Sequence, residues 1–234
     1  MSKRHSDHEL HTPATARMRD VILGFSDGLT VPFALAAGLS AAGVTAMTVV
    51  IAGLAEAVAG GISMGLGGYL AGTAEVENYK AELAREEREV HEIPEEERAE
   101  VRGVFAKYGL RAEALEQATH AITSHKKTWV AFMMREELGL QEPVSGGALR
   151  SGATIGASYV LGSVVPLLPY MLHLPIRSAL LWSCGVTVSA LAGFGAAKAR
   201  WNGNPMWRGA VQTAAVGSVA ASVAFALARL VSRL

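Results

Sequence analysis

The chain is poor in cysteine, in charge and, towards its C-terminus, in acid. Its one cysteine, Cys184, excludes an intrachain disulfide framework and a cysteine-based metal site. Only 18% of its 234 residues are charged and 50% are hydrophobic, whereas about a quarter of a soluble domain is charged. No Asp or Glu follows Glu142. These shortages are typical of a membrane protein rather than of a soluble domain.

The acidic residues that are present lie together. Of 21 acidic residues, 16 fall between Glu75 and Glu142, and residues 75–150 carry a net charge of −5 while the rest of the chain is basic. The net charge of zero is therefore the sum of unlike parts. Because nucleic acid favours a basic patch over an acidic one, we expect no nucleic-acid partner.

Five segments are apolar over the length that a helix needs to cross a bilayer, which is roughly 20 residues. The last three contain no Asp, Glu, Lys or Arg, and the first two contain one acid each, Asp27 and Glu56. The sequence therefore predicts an all-α membrane protein with five transmembrane helices in contact with lipid. Their predicted bounds are residues 21–42, 48–72, 152–172, 178–197 and 209–228.

A polar stretch with helix-forming composition separates spans two and three. No Pro or Gly interrupts it before Pro94, so we expect span two to continue as one long helix up to that residue. Further helices are predicted over residues 95–107 and 111–138, with Gly109 and Gly139 as stop signals. The predicted organisation is transmembrane helices 1–2 in residues 19–74, a cytosolic three-helix metal-binding domain in 75–146, and transmembrane helices 3–5 in 147–234.

Basic residues set the predicted orientation. The N-terminal tail and the link between spans four and five, with Lys198, Arg200 and Arg208, are rich in Lys and Arg, which favours the cytosolic side for both. The tail, residues 1–18, lacks the apolar core of a signal peptide and is predicted to be disordered. Its histidines, His5, His8 and His11, are expected to be solvated rather than bound to metal.

The first two spans contain three side chains that suit a cation path. A carboxylate at membrane depth costs a few kcal/mol unless it faces a cavity, a partner or an ion, so Asp27 and Glu56 are candidate transport residues. The alternative for Asp27 is an interfacial position with hydrogen bonds to Ser26 or Thr30. Glu56 and Met64 lie on nearly the same face of one helix. A carboxylate with a thioether suits late divalent metals better than Mg²⁺ or Ca²⁺.

The insert offers acids and methionines at chelating spacing. Glu82, Glu86 and Glu89 share one helix face, and the third predicted helix carries two adjacent methionines before a glutamate. Exposed glutamates are ordinarily solvated, but several of them gathered without arginine partners repel one another unless cations bind. Glu97 and Glu100 are three apart on the next predicted helix, and Met133 and Met134 precede Glu137 by four and three residues.

Four motifs occur in an order that is specific in combination. They are Phe25-Ser-Asp27-Gly-Leu, Gly60-Gly-Ile-Ser-Met-Gly-Leu-Gly-Gly-Tyr69, a Glu-rich insert that ends in Met133-Met134-Arg-Glu-Glu137, and Pro166-Leu-Leu-Pro169. This combination resembles the vacuolar iron transporter family, in its form with a cytosolic metal-binding domain. The resemblance covers nearly the whole chain from Arg19 onward.

The resemblance implies a homodimer whose pore runs along the dimer axis and exchanges cytosolic Fe²⁺ for protons. It implies that Asp27, Glu56 and Met64 line this path. It also implies that the metal ligands of the insert are Glu86, Glu89, Glu97, Glu100, Met133, Met134 and Glu137. Fe²⁺ is then the substrate, with Mn²⁺, Co²⁺ and Zn²⁺ as further candidates, and no tightly bound cofactor is expected. The Ala- and Gly-rich sequence, without a vacuolar sorting signal, favours a bacterial plasma membrane.

Two other interpretations compete with transport. A membrane-anchored di-metal carboxylate ferroxidase would use Glu-x-x-His pairs, but the residues three positions before the histidines of the insert are Arg88, Gln117 and Ile122. A metal sensor that binds without transporting does not explain acids inside the spans. Both interpretations therefore explain the sequence less well than export of divalent metal coupled to protons.

Overall fold

A computed structural model describes residues 11–232, and within that range the chain is helical, without strands. Over residues 11–232, eight α-helices and one π-helical segment follow one another. They are α1 His11–Ala41, α2 Ala46–Glu92, α3 Pro94–Lys107, α4 Ala112–Thr123, α5 Lys126–Phe132, the π-helical segment Met133–Glu137, α6 Gly147–Met171, α7 Ile176–Trp201 and α8 Met206–Val231.

Five of these helices are long and apolar enough to cross a membrane: α1 from Ala16 onward, α2, α6, α7 and α8. Their most apolar windows have a mean hydropathy of 1.4 to 1.8. The prediction of an all-α chain with five apolar spans is thereby confirmed. Helix α2 continues well past the length of one span, up to Glu92, as the absence of Pro and Gly before Pro94 indicated.

The described residues form two compact units. The bundle unit comprises residues 11–70 and 148–232, and the insert unit comprises Ala71–Gly147. Helix α2 begins in the first and ends in the second. The insert unit overlaps the segment 75–146 that the sequence sets apart by its charge.

Small residues allow the helices of the bundle unit to approach closely. On α1, a Cβ at Gly24 would overlap the backbone of Ile155 on α6, and a Cβ at Gly28 would overlap that of Tyr159. Helix α2 meets α6 in the same way, because a Cβ added at Gly65 would lie 3.0 Å from the backbone carbonyl oxygen of Gly152. Such glycines favour packing between spans, where lipid gives no hydrophobic advantage to helix contacts. They place α6 between the acid-bearing helices α1 and α2.

The insert unit is built from the end of α2 and the shorter helices that follow it. Pro94 is the first residue of α3, where its missing N–H costs no hydrogen bond. Gly109, with a φ of +92°, follows the end of α3 in a conformation that favours glycine. The apolar side chains of the insert unit form one buried cluster. Its buried members are Val90, Val101, Trp129, Val130, Met133 and Met134.

The sequence predicts one continuous third helix in the insert, over residues 111–138, and this prediction is wrong. The segment is divided into α4, α5 and the π-helical segment, with a break at Ser124 and His125. Ser124 donates its hydroxyl to the carbonyl of His120, and His125 adopts an extended backbone with φ −131° and ψ 115°. A serine side chain that bonds to backbone in this way competes with helix continuation.

The prediction that residues 1–18 form a disordered N-terminal tail is wrong for residues 11–18. Helix α1 begins at His11, so residues 11–18 are helical. Residues such as Ala14, Ala16, Arg17 and Met18 favour helix, and adding turns to an existing helix avoids the cost of nucleation. The rest of the tail, including His5 and His8, lies outside the described residues.

Candidate metal sites

Three glutamates of the insert unit come together where α2 ends and α3 begins. The break before Pro94 reverses the chain and brings Glu97 next to Glu86 and Glu89. One carboxylate oxygen from each of the three lies within 4.8 Å of the others. Oxygens at this separation can coordinate one divalent ion after small side-chain rotations. The structure thus joins three of the predicted metal ligands in one site, which we call the acidic cluster.

Two of these glutamates are buried although they lack full hydrogen bonding. Glu86 and Glu97 are each 3% exposed. The Oε2 atom of each is buried and has no hydrogen-bond partner in the described part of the chain. An unpaired buried carboxylate costs far more than an exposed one. The cluster is therefore unfavourable as a set of bare anions and favourable once a proton or a cation occupies it.

The pKa values of the cluster reflect this cost. Burial, together with the negative charges of Glu137 and Glu89, raises the pKa of Glu86 to about 7. Burial and the charges of Glu100 and Glu86 likewise raise the pKa of Glu97 to about 7. The two carboxyls therefore exchange protons near neutral pH, where a divalent ion can compete for them.

Glu89 differs from its neighbours because it has a basic partner. Arg85 Nε donates to Glu89 Oε1 at 3.0 Å, and its Nη1 lies 3.5 Å from Glu82 Oε2. The expectation that the gathered glutamates lack arginine partners is therefore wrong for Glu82 and Glu89. The arginine is itself 55% exposed, so this ion pair is weak. It leaves Glu86 and Glu97 as the uncompensated acids.

Glu100 and Glu137 lie at the edge of the acidic cluster. Partial burial, the charge of Glu100 and a hydrogen bond with it raise the pKa of Glu137. Both residues also act electrostatically on Glu86. The structure therefore brings all five predicted glutamates of the insert within electrostatic reach of one another. The three histidines of the insert are exposed and none belongs to the metal-ligand group found in the described residues.

The two predicted methionine ligands lie beside this cluster in the apolar core of the insert unit. Met133 is 0% and Met134 2% exposed, and both pack with Val90 and Val101. These valines follow Glu86 and Glu97 by one helical turn. Met133 starts the π-helical segment, in which Leu138 N bonds to Met133 O at 3.1 Å. Such segments are frequent at functional sites because they re-aim side chains.

In the bundle unit, a tyrosine on α6 contacts the acid of span two. The hydroxyl of Tyr159 donates a hydrogen bond to Glu56 Oε1. Glu56 Oε2 is buried and has no hydrogen-bond partner among the described residues. The carboxylate is therefore held at one oxygen, while the other oxygen is buried without a hydrogen bond from any described residue.

Two glycines make room for this contact. Gly60 lies one turn after Glu56, and a Cβ there would come within 2.6 Å of the Tyr159 hydroxyl and ring. On the opposite side, the Tyr159 backbone packs against Gly28 of α1. Sequence reasoning missed Tyr159. The available signal was a tyrosine hydroxyl inside a span that contains no charged residue.

Asp27 lies on α1 near the same tyrosine. Its charge is within electrostatic reach of the Tyr159 hydroxyl, and its side chain is half-buried. Thr30 donates its hydroxyl to the Ser26 carbonyl at 2.9 Å, so it does not use that hydrogen to hold Asp27. Of the two partners that the interfacial alternative names, this leaves Ser26. Met64 is half-buried on α2, two turns after Glu56. The structure thus associates Asp27 and Glu56 through Tyr159.

Comparison with known proteins shows which family the chain belongs to. The sequence model of the VIT family matches residues 18–229, which include both acid-bearing spans and the whole insert. The chain belongs to the VIT family.

Curated relatives match this chain over at least nine-tenths of its length. Vacuolar iron transporter 1 of Oryza sativa subsp. japonica is 46% identical over 230 residues, which are 97% of this chain and 91% of that protein. Vacuolar iron transporter 1 of Arabidopsis thaliana is 46% identical over 96% of this chain and 91% of its own. Protein CCC1 of Saccharomyces cerevisiae is 36% identical over 90% of this chain and 68% of its own.

Membership of the VIT family confirms the resemblance drawn from the four motifs. With its five spans, the chain is a multi-pass membrane protein. The plant relatives carry the vacuole in their names, which does not support the bacterial plasma membrane expected from composition. That location stays a prediction.

Proposed function

We propose that this chain transports divalent metal, Fe²⁺ and also Mn²⁺, out of the cytosol in exchange for protons. The observation that carries the proposal is the state of Glu56. It is an acid inside an apolar span, held by Tyr159 through one oxygen and unpartnered at the other. An acid in this position favours a cation path. The names of the relatives, which are iron transporters, supply the class of substrate.

In this proposal the first two spans supply the ligands of the path. Asp27 and Glu56 provide oxygen and Met64 provides sulfur, a combination that favours late divalent metals over Mg²⁺ or Ca²⁺. A carboxylate must release its proton before it binds metal. Metal and proton therefore alternate on the same groups, and a pH difference across the membrane can drive metal flux. No tightly bound cofactor is needed, because the metal is the cargo.

The acidic cluster acts as the loading site in the cytosol. Its two uncompensated glutamates favour occupation by a cation, and they titrate near neutral pH. Met133 and Met134 are the soft ligands of the same unit, where Glu100 and Glu137 complete the negative charge. We place the N-terminus and the insert unit on the cytosolic side because basic residues flank the spans there. Lipid surrounds the exposed apolar faces, and two copies form a homodimer.

The ferroxidase and sensor alternatives find less support. A di-metal oxidase centre uses histidine with carboxylate, and the acidic cluster contains only carboxylates among the described residues. A sensor has no use for an acid in a transmembrane helix. Oxygen consumption upon addition of Fe²⁺ would favour the oxidase.

The test is metal uptake into proteoliposomes that contain the purified full chain. Asp27→Ala and Glu56→Ala are each expected to abolish uptake while the protein still inserts and purifies as a single species. Glu113→Ala, at an exposed acid of α4, serves as the matched control and keeps the parental rate. Parental uptake by either of the first two variants would remove that residue from the path.

A further inference from the structure

The link between the last two helices carries a basic and aromatic surface that the sites described above do not use. Helix α7 ends at Trp201 and α8 begins at Met206, so only residues 202–205 join them. The link folds back tightly, because Asn204 N donates to the Ala199 carbonyl at 2.8 Å. Both helices are long and apolar enough to cross a membrane. A link this short between two spans lies in the headgroup layer of the bilayer, which is about 5–8 Å deep.

Two tryptophans support this depth. Trp201 and Trp207 lie at the two ends of the link, and both side chains are exposed. Tryptophan is enriched where the apolar core of a membrane meets its headgroups, because the indole is apolar in its rings and polar at its N–H. The pair therefore holds the link level with the lipid phosphates.

Three cations come together at the same link. Lys198 and Arg200 lie in the last turn of α7, and Arg208 lies in the first turn of α8. A Cβ at Gly209 would come within 2.5 Å of the Ala199 side chain. The residue after Arg208 thus meets the residue between the two cations of α7, and this tight packing keeps the three positions close to one another.

These cations have no counter-charge in the part of the chain that the structure describes. None of the three lies within ion-pair distance of a carboxylate there, and no Asp or Glu follows Glu142 in the sequence. The Arg208 guanidinium instead lies over the Trp207 ring, 5.4 Å from its centroid, which keeps the charge at the depth of the indole. Like charges gathered in this way repel one another, so an anion between them is favourable.

We propose that the α7–α8 link is a binding site for the phosphate group of an anionic phospholipid, such as phosphatidylglycerol. The inference goes beyond the proposed transport function and does not rest on it. The lipid phosphate lies at the depth where the tryptophans hold the link, and its charge is complementary to Lys198, Arg200 and Arg208. Guanidinium groups suit phosphate because they donate two parallel hydrogen bonds to its oxygens. A free phosphate ion lacks the acyl chains that pack beside the exposed indoles.

The opposite ends of the same two helices provide a matched control. Arg177 lies in the first turn of α7, and Arg229 lies in the last turn of α8. Both are exposed, and Arg229 lies over the Phe225 ring, 5.9 Å from its centroid. If any cation near a membrane attracted anionic lipid equally, loss of this pair would have the same effect as loss of Arg200 and Arg208. A site at the link predicts that only the second loss matters.

The experiment is native mass spectrometry of the purified full chain in detergent, titrated with phosphatidylglycerol or with zwitterionic phosphatidylcholine. The parental chain is expected to prefer phosphatidylglycerol. Arg200→Gln with Arg208→Gln is expected to reduce this preference about twenty-five-fold, since each cation near an anionic lipid surface contributes about fivefold. Arg200→Lys with Arg208→Lys retains most of the preference because it keeps the charge, and Arg177→Gln with Arg229→Gln keeps the parental value.

Four results overturn the inference. They are equal affinity of the parental chain for the two lipids, an unchanged preference in Arg200→Gln with Arg208→Gln, an equal loss in Arg177→Gln with Arg229→Gln, and displacement of phosphatidylglycerol by inorganic phosphate at equal concentration. The last result would assign the link to free anions rather than to lipid. Each of these readouts is binding, so it stands whether or not the chain moves metal, and gel filtration of each variant shows that the fold is retained.

Discussion

The hydroxyl of Tyr159 on α6 donates a hydrogen bond to Oε1 of Glu56 on α2. This contact crosses from an uncharged span to the span that carries the acid, and it exists because Gly60 has no side chain to block it. The phenol fixes one oxygen of the carboxylate and leaves the other unpartnered. Glu56 is therefore oriented before any cation arrives, which reduces the ordering that binding requires.

Removal of the Tyr159 hydroxyl tests this orientation. Tyr159→Phe is expected to slow metal transport by about tenfold or more, because a hydrogen bond to a charged group contributes about 1.5–3 kcal/mol. The ring still fills the space over Gly60, so the fold is retained. Tyr170→Phe is the control, since that hydroxyl lies 2.9 Å from Ser40 Oγ rather than beside an acid. Equal losses in the two variants would show that Tyr159 has no special role.

Removal of the ligands of the insert unit separates loading from conduction. Glu86→Ala with Glu97→Ala, or Met133→Ala with Met134→Ala, is expected to weaken metal binding and slow transport at low metal concentration. At saturating metal the rate largely recovers, because Asp27, Glu56 and Met64 remain. Uptake measured across metal concentrations distinguishes the two regimes. A loss that is the same at all concentrations would mean that the insert unit takes part in conduction or gating.

The methionine variant needs its own control, since Met133 and Met134 also form part of the apolar core. Met133→Leu with Met134→Leu keeps the volume and removes only the sulfur. It is expected to lower metal affinity without loss of stability. Parental affinity in the leucine variant would show that the methionines serve packing alone.

The raised pKa values of Glu86 and Glu97 predict a pH dependence of metal binding. Both lie at about 7, so protons compete with metal below neutrality, and affinity falls by up to about tenfold per pH unit for each proton displaced. Titration of the purified chain with Co²⁺ between pH 6 and pH 8 measures this. Glu86→Gln with Glu97→Gln flattens the curve. An affinity of the parental chain that is constant over this range would contradict the assignment.

The same shifts fix the sign of a stability effect in the absence of metal. A carboxyl whose pKa is higher in the folded than in the unfolded state binds more protons when folded, so stability falls as pH rises from about 4.5 through about 7. Protection of the amides of residues 82–101 against hydrogen exchange is therefore expected to decrease from pH 6 to pH 8, after correction for the intrinsic exchange rate. Added metal restores it at pH 8. Protection that increases with pH would contradict the account.

Close packing of α1 on α6 is expected to tolerate no side chain at Gly28. A Cβ there would overlap the Tyr159 backbone, so Gly28→Ala forces the helices apart, disturbs the tyrosine and lowers both thermal stability and transport. Gly185→Ala on α7 is the control, because nothing lies within 4 Å of the added Cβ. Thermal unfolding in detergent compares the two. Parental stability and transport in Gly28→Ala would show that this contact is not needed.

Much of the fold could be predicted because it depends on local signals. The apolar runs define the five spans, and Pro94 and Gly109 mark the ends of α2 and α3. The break at Ser124 and His125 was missed because neither proline nor glycine marks it; a hydroxyl bonded to the backbone of the preceding turn does. The start of α1 was missed because a polar helix that extends an apolar one resembles a tail in composition.

The candidate sites were predictable in membership but not in geometry. Helical spacing together with the family resemblance indicated Glu86, Glu89 and Glu97 as ligands. The pairing of Arg85 with Glu89 is an i,i+4 contact within α2 that the spacing does contain. The burial of Glu86 and Glu97 depends on how α3 folds back on α2, which spacing does not contain. Tyr159 was missed for the same reason, since its value lies in a contact with a residue that is distant in sequence.

Proton-coupled metal export is tested most directly by flux in proteoliposomes with an imposed pH gradient. With the vesicle interior acidic, the account predicts faster Fe²⁺ uptake than at equal pH, and faster dissipation of the gradient when metal is present. Glu56→Ala should abolish both signals. Metal uptake at the same rate with and without a gradient of about two pH units, and without proton movement, would contradict coupling and indicate a channel. The absence of any uptake by the parental chain would contradict transport itself.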